Sequence, residues 1–124
     1  MRFTQDPSSA TRLIRRYGDG ELLINENTYR ETVLVSATTV LTLPDIRDMN
    51  DLASFDPARI LALDPELVLL GTGQRQIFPA AAFRAPYLSA GIGFEVMDTG
   101  AACRTFNVLV AEQRRVVALL MVLA

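Results

Sequence analysis

Short apolar runs alternate with turn residues along this chain, and the period of the runs changes from one segment to the next. Gly18-Asp19-Gly20 is a turn signal, followed by the apolar Leu22, Leu23 and Ile24 and then by a β-rich stretch at 29–35. With residues 25–28 between them, these two stretches predict a hairpin. A further strand is expected at 38–43, ended by Pro44-Asp45. Asp56 before Pro57 reads as an N-cap with proline at the first helical position, so a short helix is expected at 57–63, stopped by Asp64-Pro65.

The second half alternates more regularly. Leu67-Val68-Leu69-Leu70 is apolar at every position, as a strand covered on both faces should be, and it stops at Gly71-Thr72-Gly73. Residues 79–90 have helical spacing, with Phe83, Tyr87 and Ala90 on one face and Gly91 as the stop. Pro86 cannot donate to the Ala82 carbonyl, a loss of roughly 3 kcal/mol, so a kink or break is expected there. A short strand at 94–97 and a helix at 101–112 follow, the helix aligning Phe106, Leu109 and Val110. Paired valines favour a buried closing strand at 116–123. Strands alternating with helices predict an α/β domain with the early hairpin at one side.

The chain has 124 residues with 12 basic and 14 acidic side chains, enough for one compact domain. All the basic residues are arginine. Lysine, histidine and tryptophan are absent, which removes Schiff-base and P-loop lysine chemistry, imidazole catalysis and histidine metal ligation. Cys103 is the single cysteine, so no intrachain disulfide or C-x-x-C pair exists, and a lone thiol suits a reducing cytoplasm. No metal or cofactor is expected. Arg2, Arg12, Arg15 and Arg16 against Asp6 make residues 1–16 a basic arm, expected to be flexible, and leave 17–124 as the acidic α/β domain. Nucleic acid is a poor partner for an acidic body. The longest apolar run, at 116–124, is far short of the about 20 residues a membrane span needs, so a soluble, cytoplasmic protein is expected.

In α/β sheets, ligands collect beyond the carboxyl ends of strands. Two segments qualify: Gly71-Thr72-Gly73-Gln74-Arg75-Gln76 and Met97-Asp98-Thr99-Gly100-Ala101-Ala102-Cys103-Arg104. Asp98 or Thr99 can accept from first-turn amides, and the small residues after them leave room for close approach. Arg104 and Asn107 share a helix face. With Arg75 pointing the same way, two guanidinium groups and a helix N-terminus would hold a carboxylate or phosphate. The candidate binding residues are therefore Gly71, Thr72, Gly73, Arg75, Asp98, Thr99, Gly100, Arg104 and Asn107, all on the premise that the two loops open onto one concavity.

Three sharper motifs are weaker on inspection. Asp98-Thr99-Gly100-Ala101 after apolar residues matches the loop of retroviral-type aspartic proteases, which pair two such loops so that two carboxylates share a proton. Here helical spacing follows it rather than β-structure. Cys103 beside Arg104 in a first helical turn is placed to favour thiolate, but it shares a face with Phe106 and Val110, and a buried small hydrophobe is the expected role. An EF-hand loop read from Asp45 would place Arg47 and Asn50 at its third and sixth positions, so Asp48 and Asp56 are better read as helix caps.

The turn at 18–20, Leu69-Leu70-Gly71-Thr72-Gly73, the segment at 91–97 and above all Thr99-Gly100-Ala101-Ala102-Cys103-Arg104-Thr105-Phe106-Asn107, running on to Arg115-Val116-Val117-Ala118, resemble a small family of unknown function. This is an MTH-type domain found in bacteria, archaea and eukaryotes, whose mitochondrial member is an assembly factor for respiratory complex I. The resemblance covers residues 17–122. It implies a single three-layer α/β domain around a mixed, partly parallel sheet, with helices on both faces and a β-hairpin extension, and it implies no established enzymatic activity. Pro86 departs from the family pattern.

Two functions follow. The first is a noncatalytic interaction or assembly module, docking a protein partner such as a respiratory-complex subunit, or a second copy of itself; half-apolar composition favours an exposed apolar patch. The second is a binder of a small anionic ligand, or an enzyme, using the Gly71–Gly73 and Asp98–Arg104 loops.

Overall fold

The computed structural model describes residues 12–122. Ile14–Gly18 (β1), Glu21–Ile24 (β2) and Asn27–Tyr29 (β3) form an antiparallel meander. Its first turn, Asp19-Gly20, has both residues at positive φ (54° and 75°), the backbone that matches the twist of a two-residue hairpin. Val33–Val35 (β4), Val40–Thr42 (β5), Leu67–Gly71 (β6), Gly93–Met97 (β7) and Val116–Leu120 (β8) form a second sheet in the order β5-β4-β8-β6-β7. β6 is parallel to both β7 and β8, while β4 is antiparallel to β5 and β8, so the sheet is mixed. A 3₁₀ segment at Met49–Ser54 and helices Ala58–Leu61 (α1), Ala81–Ser89 (α2) and Thr99–Ala111 (α3) complete the domain.

The three central strands, β4, β8 and β6, are buried on both faces. Val33, Val35, Leu69, Val116, Ala118 and Leu120 pack against α3 and the meander. The alternating neighbours Leu34, Val68, Leu70, Val96, Val117 and Leu119 pack against the 3₁₀ segment, α1 and α2. Three layers result, with helices on both faces of the mixed sheet. β8 lies at the centre and is buried at every position, as an apolar run with no polar alternation requires. Each such leucine contributes roughly 1.5–3 kcal/mol by leaving water.

Several sequence expectations are corrected. The stretch at 29–35 is two strands in different sheets, because Val33–Val35 is buried on both sides and pairs with β8, whereas Tyr29 ends the solvent-edged meander. The hairpin has a third strand: β1 begins at Ile14, inside the stretch assigned to the basic arm at 1–16. An irregularity in register between Ile14 and Arg16 turns both Arg15 and Arg16 outward while Ile14 is buried, so charge concealed the strand. Of the rest of that arm, Arg12 and Leu13 are described, the Arg12 amide donating to the Ala37 carbonyl at 2.7 Å, and residues 1–11 lie outside the described residues. α2 runs unbroken through Pro86. Its end is fixed by a Schellman motif, with Gly91 at φ 76° donating to Leu88 and Ile92 donating to Tyr87. β5 is shorter than expected at Val40–Thr42, and β8 stops at Leu120 rather than running through 123.

Candidate functional site

Because β6 and β7 are parallel neighbours with Gly71 opposite Met97, the loops that leave them emerge at one rim. The chain then diverges. The step from β6 to β7 and the return from β7 to β8 run in opposite directions across the sheet, so right-handed crossovers send α2 and α3 to opposite faces and open a switch point between the two loops. The two loops do leave from one rim, but the premise that they open onto a single concavity is not borne out. The space within the rim is taken up by the loops' own polar groups. Thr99 is fully buried; its hydroxyl donates to the Met121 carbonyl at 2.6 Å and accepts the Gly73 amide at 2.9 Å, while the Thr99 amide donates to the Gly73 carbonyl at 2.9 Å. On the other side, the Thr72 hydroxyl donates to the Arg75 carbonyl and accepts the Ile77 amide at 3.0 Å, and Gln76 Nε2 donates to the Val96 carbonyl at 2.9 Å. Gly71 is required by contact: a Cβ there would stand 3.0 Å from Leu120 Cδ2 and 3.1 Å from Thr99 Cα. Gly73 is required by its φ of 93°.

Asp98 caps α3, accepting the Ala101 amide at 2.8 Å, so an anion seated on this helix end has to displace a carboxylate that already holds it. The structure gathers Gly71, Thr72, Gly73, Asp98, Thr99 and Gly100 at the rim. Arg104 and Asn107 do share a face, and that face meets β1. Arg104 Nη1 donates to the Tyr17 hydroxyl at 2.6 Å, with its guanidinium 5.9 Å from the ring centroid. Asn107 Oδ1 accepts the Ile14 amide at 2.9 Å and Nδ2 donates to the Ile14 carbonyl at 2.8 Å. Arg75 is exposed on the loop.

A second feature escaped the sequence reading. Between the 3₁₀ segment, the loop after β6 and α2 lies an apolar groove of about 550 Å³, walled by Met49, Leu52, Phe55, Phe78, Phe83 and Pro86. Ile77 and Phe78 stand 45% and 67% exposed beside it. Tyr87 is fully buried and lines the groove, and its hydroxyl has no hydrogen-bond partner among the described residues. Burial, reinforced by the charge of Asp56, raises that hydroxyl to about 12. Phe83 contacts Phe55, Tyr87 and Phe94 edge-on or tilted at centroid distances of 5.9–6.2 Å, and Tyr87 stacks on Phe94 at 5.6 Å.

Residues 14–121 match the family described as a protein of unknown function, DUF498/DUF598. The chain belongs to that family. A 13 kDa major membrane protein of Francisella tularensis subsp. holarctica is 32% identical over 117 residues, covering 94% of this chain and 95% of that protein. Among solved structures, a Mth938-like domain from Bordetella pertussis aligns with a TM-score of 0.75 at 32% identity, covering 98% of this chain and 92% of the other. An outer membrane protein from Bartonella henselae aligns at 0.80 and 28% identity, covering 93% and 98%. The family resemblance read from the sequence and the three-layer fold it implied are thus both found.

In this DUF498/DUF598 member, Asp98-Thr99-Gly100 opens a helix instead of a protease loop. Cys103 is fully buried, and burial pushes its thiol up to about 12 against the pull of neighbouring Arg104, so the small-hydrophobe role is the one observed. Asp48 and Asp56 act as caps, accepting the Asn50 and Ala58 amides at 2.9 Å each. Among the described residues no helix is long and apolar enough to cross a membrane. One sequence signal for the groove existed: Ile77-Phe78 is an apolar pair in a segment with no period, between a strand and a helix.

Proposed function

We propose that this DUF498/DUF598 member is a noncatalytic interaction module that docks a protein partner through the apolar face around Ile77 and Phe78. One observation carries the reading: two adjacent large side chains project from the loop after β6, continuous with an apolar groove. Single exposed apolar residues need no explanation, but a contiguous patch is the pattern of an interaction face, and phenylalanine is enriched at such faces. The rim supports the noncatalytic part, since the Thr99 hydroxyl is engaged by Gly73 and Met121, the Thr72 hydroxyl by Arg75 and Ile77, and the Ala101 amide by Asp98.

From the family resemblance we infer the partner class, a respiratory-complex subunit met during assembly. A module that docks from the cytoplasm onto a membrane-bound complex sediments with membranes without a spanning helix, in keeping with the name of the Francisella relative as a membrane protein. The test is affinity capture from the protein's own cells with the wild type, Phe78→Asp and Ile77→Asp, each checked for folding by circular dichroism. Recovery of a respiratory subunit by the wild type and its loss in both variants is expected; identical captures from all three overturn the reading.

A small anion at the rim is the second reading, favoured by exposed Arg75 and by Arg104, whose Nη1 would stand 3.4 Å from a Cβ on Gly100. A phosphate-induced rise in Tm that disappears in Arg104→Ala supports it and counts against the first.

A further inference from the structure

We propose that a second copy of this chain covers the groove in the free protein, the two packed face to face about a two-fold axis that runs along it. The inference rests on reading this face as an interaction surface, and it names what occupies the face until another partner displaces it. Its first support is that one molecule carries both halves of the fit. Phe78 and Ile77 project 67% and 45% exposed beside an apolar trough of about 550 Å³, and no Asp, Glu or Arg lines the trough. A two-fold interface needs a patch that is its own complement, and a protruding aromatic beside an apolar recess is such a patch. Closing it takes exposed apolar side chains out of water on both copies and buries no charge in the trough.

Charge fixes the orientation. Residues 45–59, which contain the 3₁₀ wall, hold Asp45, Asp48, Asp51 and Asp56 against Arg47 and Arg59. Asp51 is paired with Arg47, and the capping bonds that Asp48 and Asp56 accept leave their charges in place. Residues 74–90, which form the facing wall in the loop after β6 and in α2, hold Arg75 and Arg84 and no acid, and neither arginine forms an ion pair among the described residues. A half-turn about an axis along the groove lays the acidic side of each copy over the arginine side of the other and brings each Phe78 across to the partner's Met49. A half-turn about an axis across the groove lays acid on acid and arginine on arginine. Opposite signs at the rim select the first arrangement and penalise the second.

The full chain is tested by analytical ultracentrifugation from micromolar to millimolar concentration. Wild type is expected to reach the mass of two chains, and rising salt should loosen that dimer. Phe78→Asp should raise its dissociation constant at least tenfold. Two double variants then change one wall each without touching a helix cap: Arg75→Glu with Arg84→Glu, and Asn50→Arg with Ala53→Arg. Each alone should be monomeric, with its fold checked by circular dichroism, and an equimolar mixture of the two should dimerise again because the facing walls are once more opposite in sign. A wild type that stays monomeric throughout overturns the proposal and leaves the docking reading standing, whereas identical captures in the affinity experiment remove the other partner and leave the dimer. A dimer indifferent to salt, a dimer that Phe78→Asp leaves intact, or folded double variants whose mixture stays monomeric would each overturn the proposal as well.

Discussion

Asn107 holds Ile14 by both of its backbone groups, its side-chain amide standing in for a neighbouring strand: Oδ1 takes the N–H at 2.9 Å and Nδ2 gives to the carbonyl at 2.8 Å. The meander is thereby fastened to α3 through a residue that reads in the sequence as part of an anion site. The consequence is structural. Asn107→Ala leaves both Ile14 groups without a partner in a partly buried setting and should cost about 1–3 kcal/mol. Hydrogen exchange should speed up across β1 far more than across β6 or β8. Asn107→Asp keeps the acceptor and loses the donor, so it should fall between the two; equal exchange rates in wild type and Asn107→Ala would remove the clamp.

Thr99 has the same standing at the rim. Its hydroxyl joins β8, through Met121, to the loop after β6, through Gly73. Thr99→Val preserves shape and strands both partners, a buried loss of about 1–3 kcal/mol, while Thr99→Ser keeps the oxygen and should recover most of it. Urea titration reads the difference as a lower midpoint with an unchanged slope. If serine lowers the midpoint and valine leaves it unchanged, packing of the methyl group and not the hydrogen bonds accounts for the effect.

What the sequence disclosed and what it hid follow from range. β6, β8 and α3 were legible because a run such as Leu67-Val68-Leu69-Leu70, or the Phe106–Val110 spacing, carries its own burial pattern. The shared rim was legible too, since strand–helix alternation implies a parallel pair. The bonds filling it were not, because they join Thr99 to Met121 and Gly73 across segments that only the sheet brings together. β1 was hidden by Arg15 and Arg16, whose outward placement depends on a local irregularity in register. The groove was hidden for the same reason as the rim bonds: Met49 and Leu52 meet Phe83 and Tyr87 only in three dimensions, and the loop bearing Phe78 has no period to read.

Gln113 ends α3 in a left-handed conformation at φ 62°, donating to Val110 while Arg114 donates to Leu109 at 2.9 Å. This is a Schellman cap built on a residue with a Cβ, where glycine is the unstrained choice. Gln113→Gly should therefore raise stability by about 0.5–1 kcal/mol, with part of the relieved strain offset by the greater freedom of glycine in the unfolded chain. A Tm rise of a few degrees is the readout. A fall in Tm would mean that the Gln113 side chain contributes more than its backbone costs.

Cys103 ties stability to alkaline pH. Its thiol titrates near 9 when exposed and at about 12 in the fold, where burial favours the neutral form. Below pH 9 both states hold the proton and stability is flat with respect to this group. Between 9 and 12 the unfolded chain has lost a proton that the native chain keeps, so stability falls with rising pH, by about 1.4 kcal/mol per pH unit for one group. Tyr87 adds to the slope between 10 and about 12. Cys103→Ala should flatten the part of the profile between 9 and 10, where Tyr87 does not yet contribute, at the expense of a small cavity beside Phe106. Iodoacetamide at pH 8 should leave the native thiol intact for as long as the domain stays closed and modify it at once in urea; prompt native-state modification would place the sulfur at the surface and remove the slope.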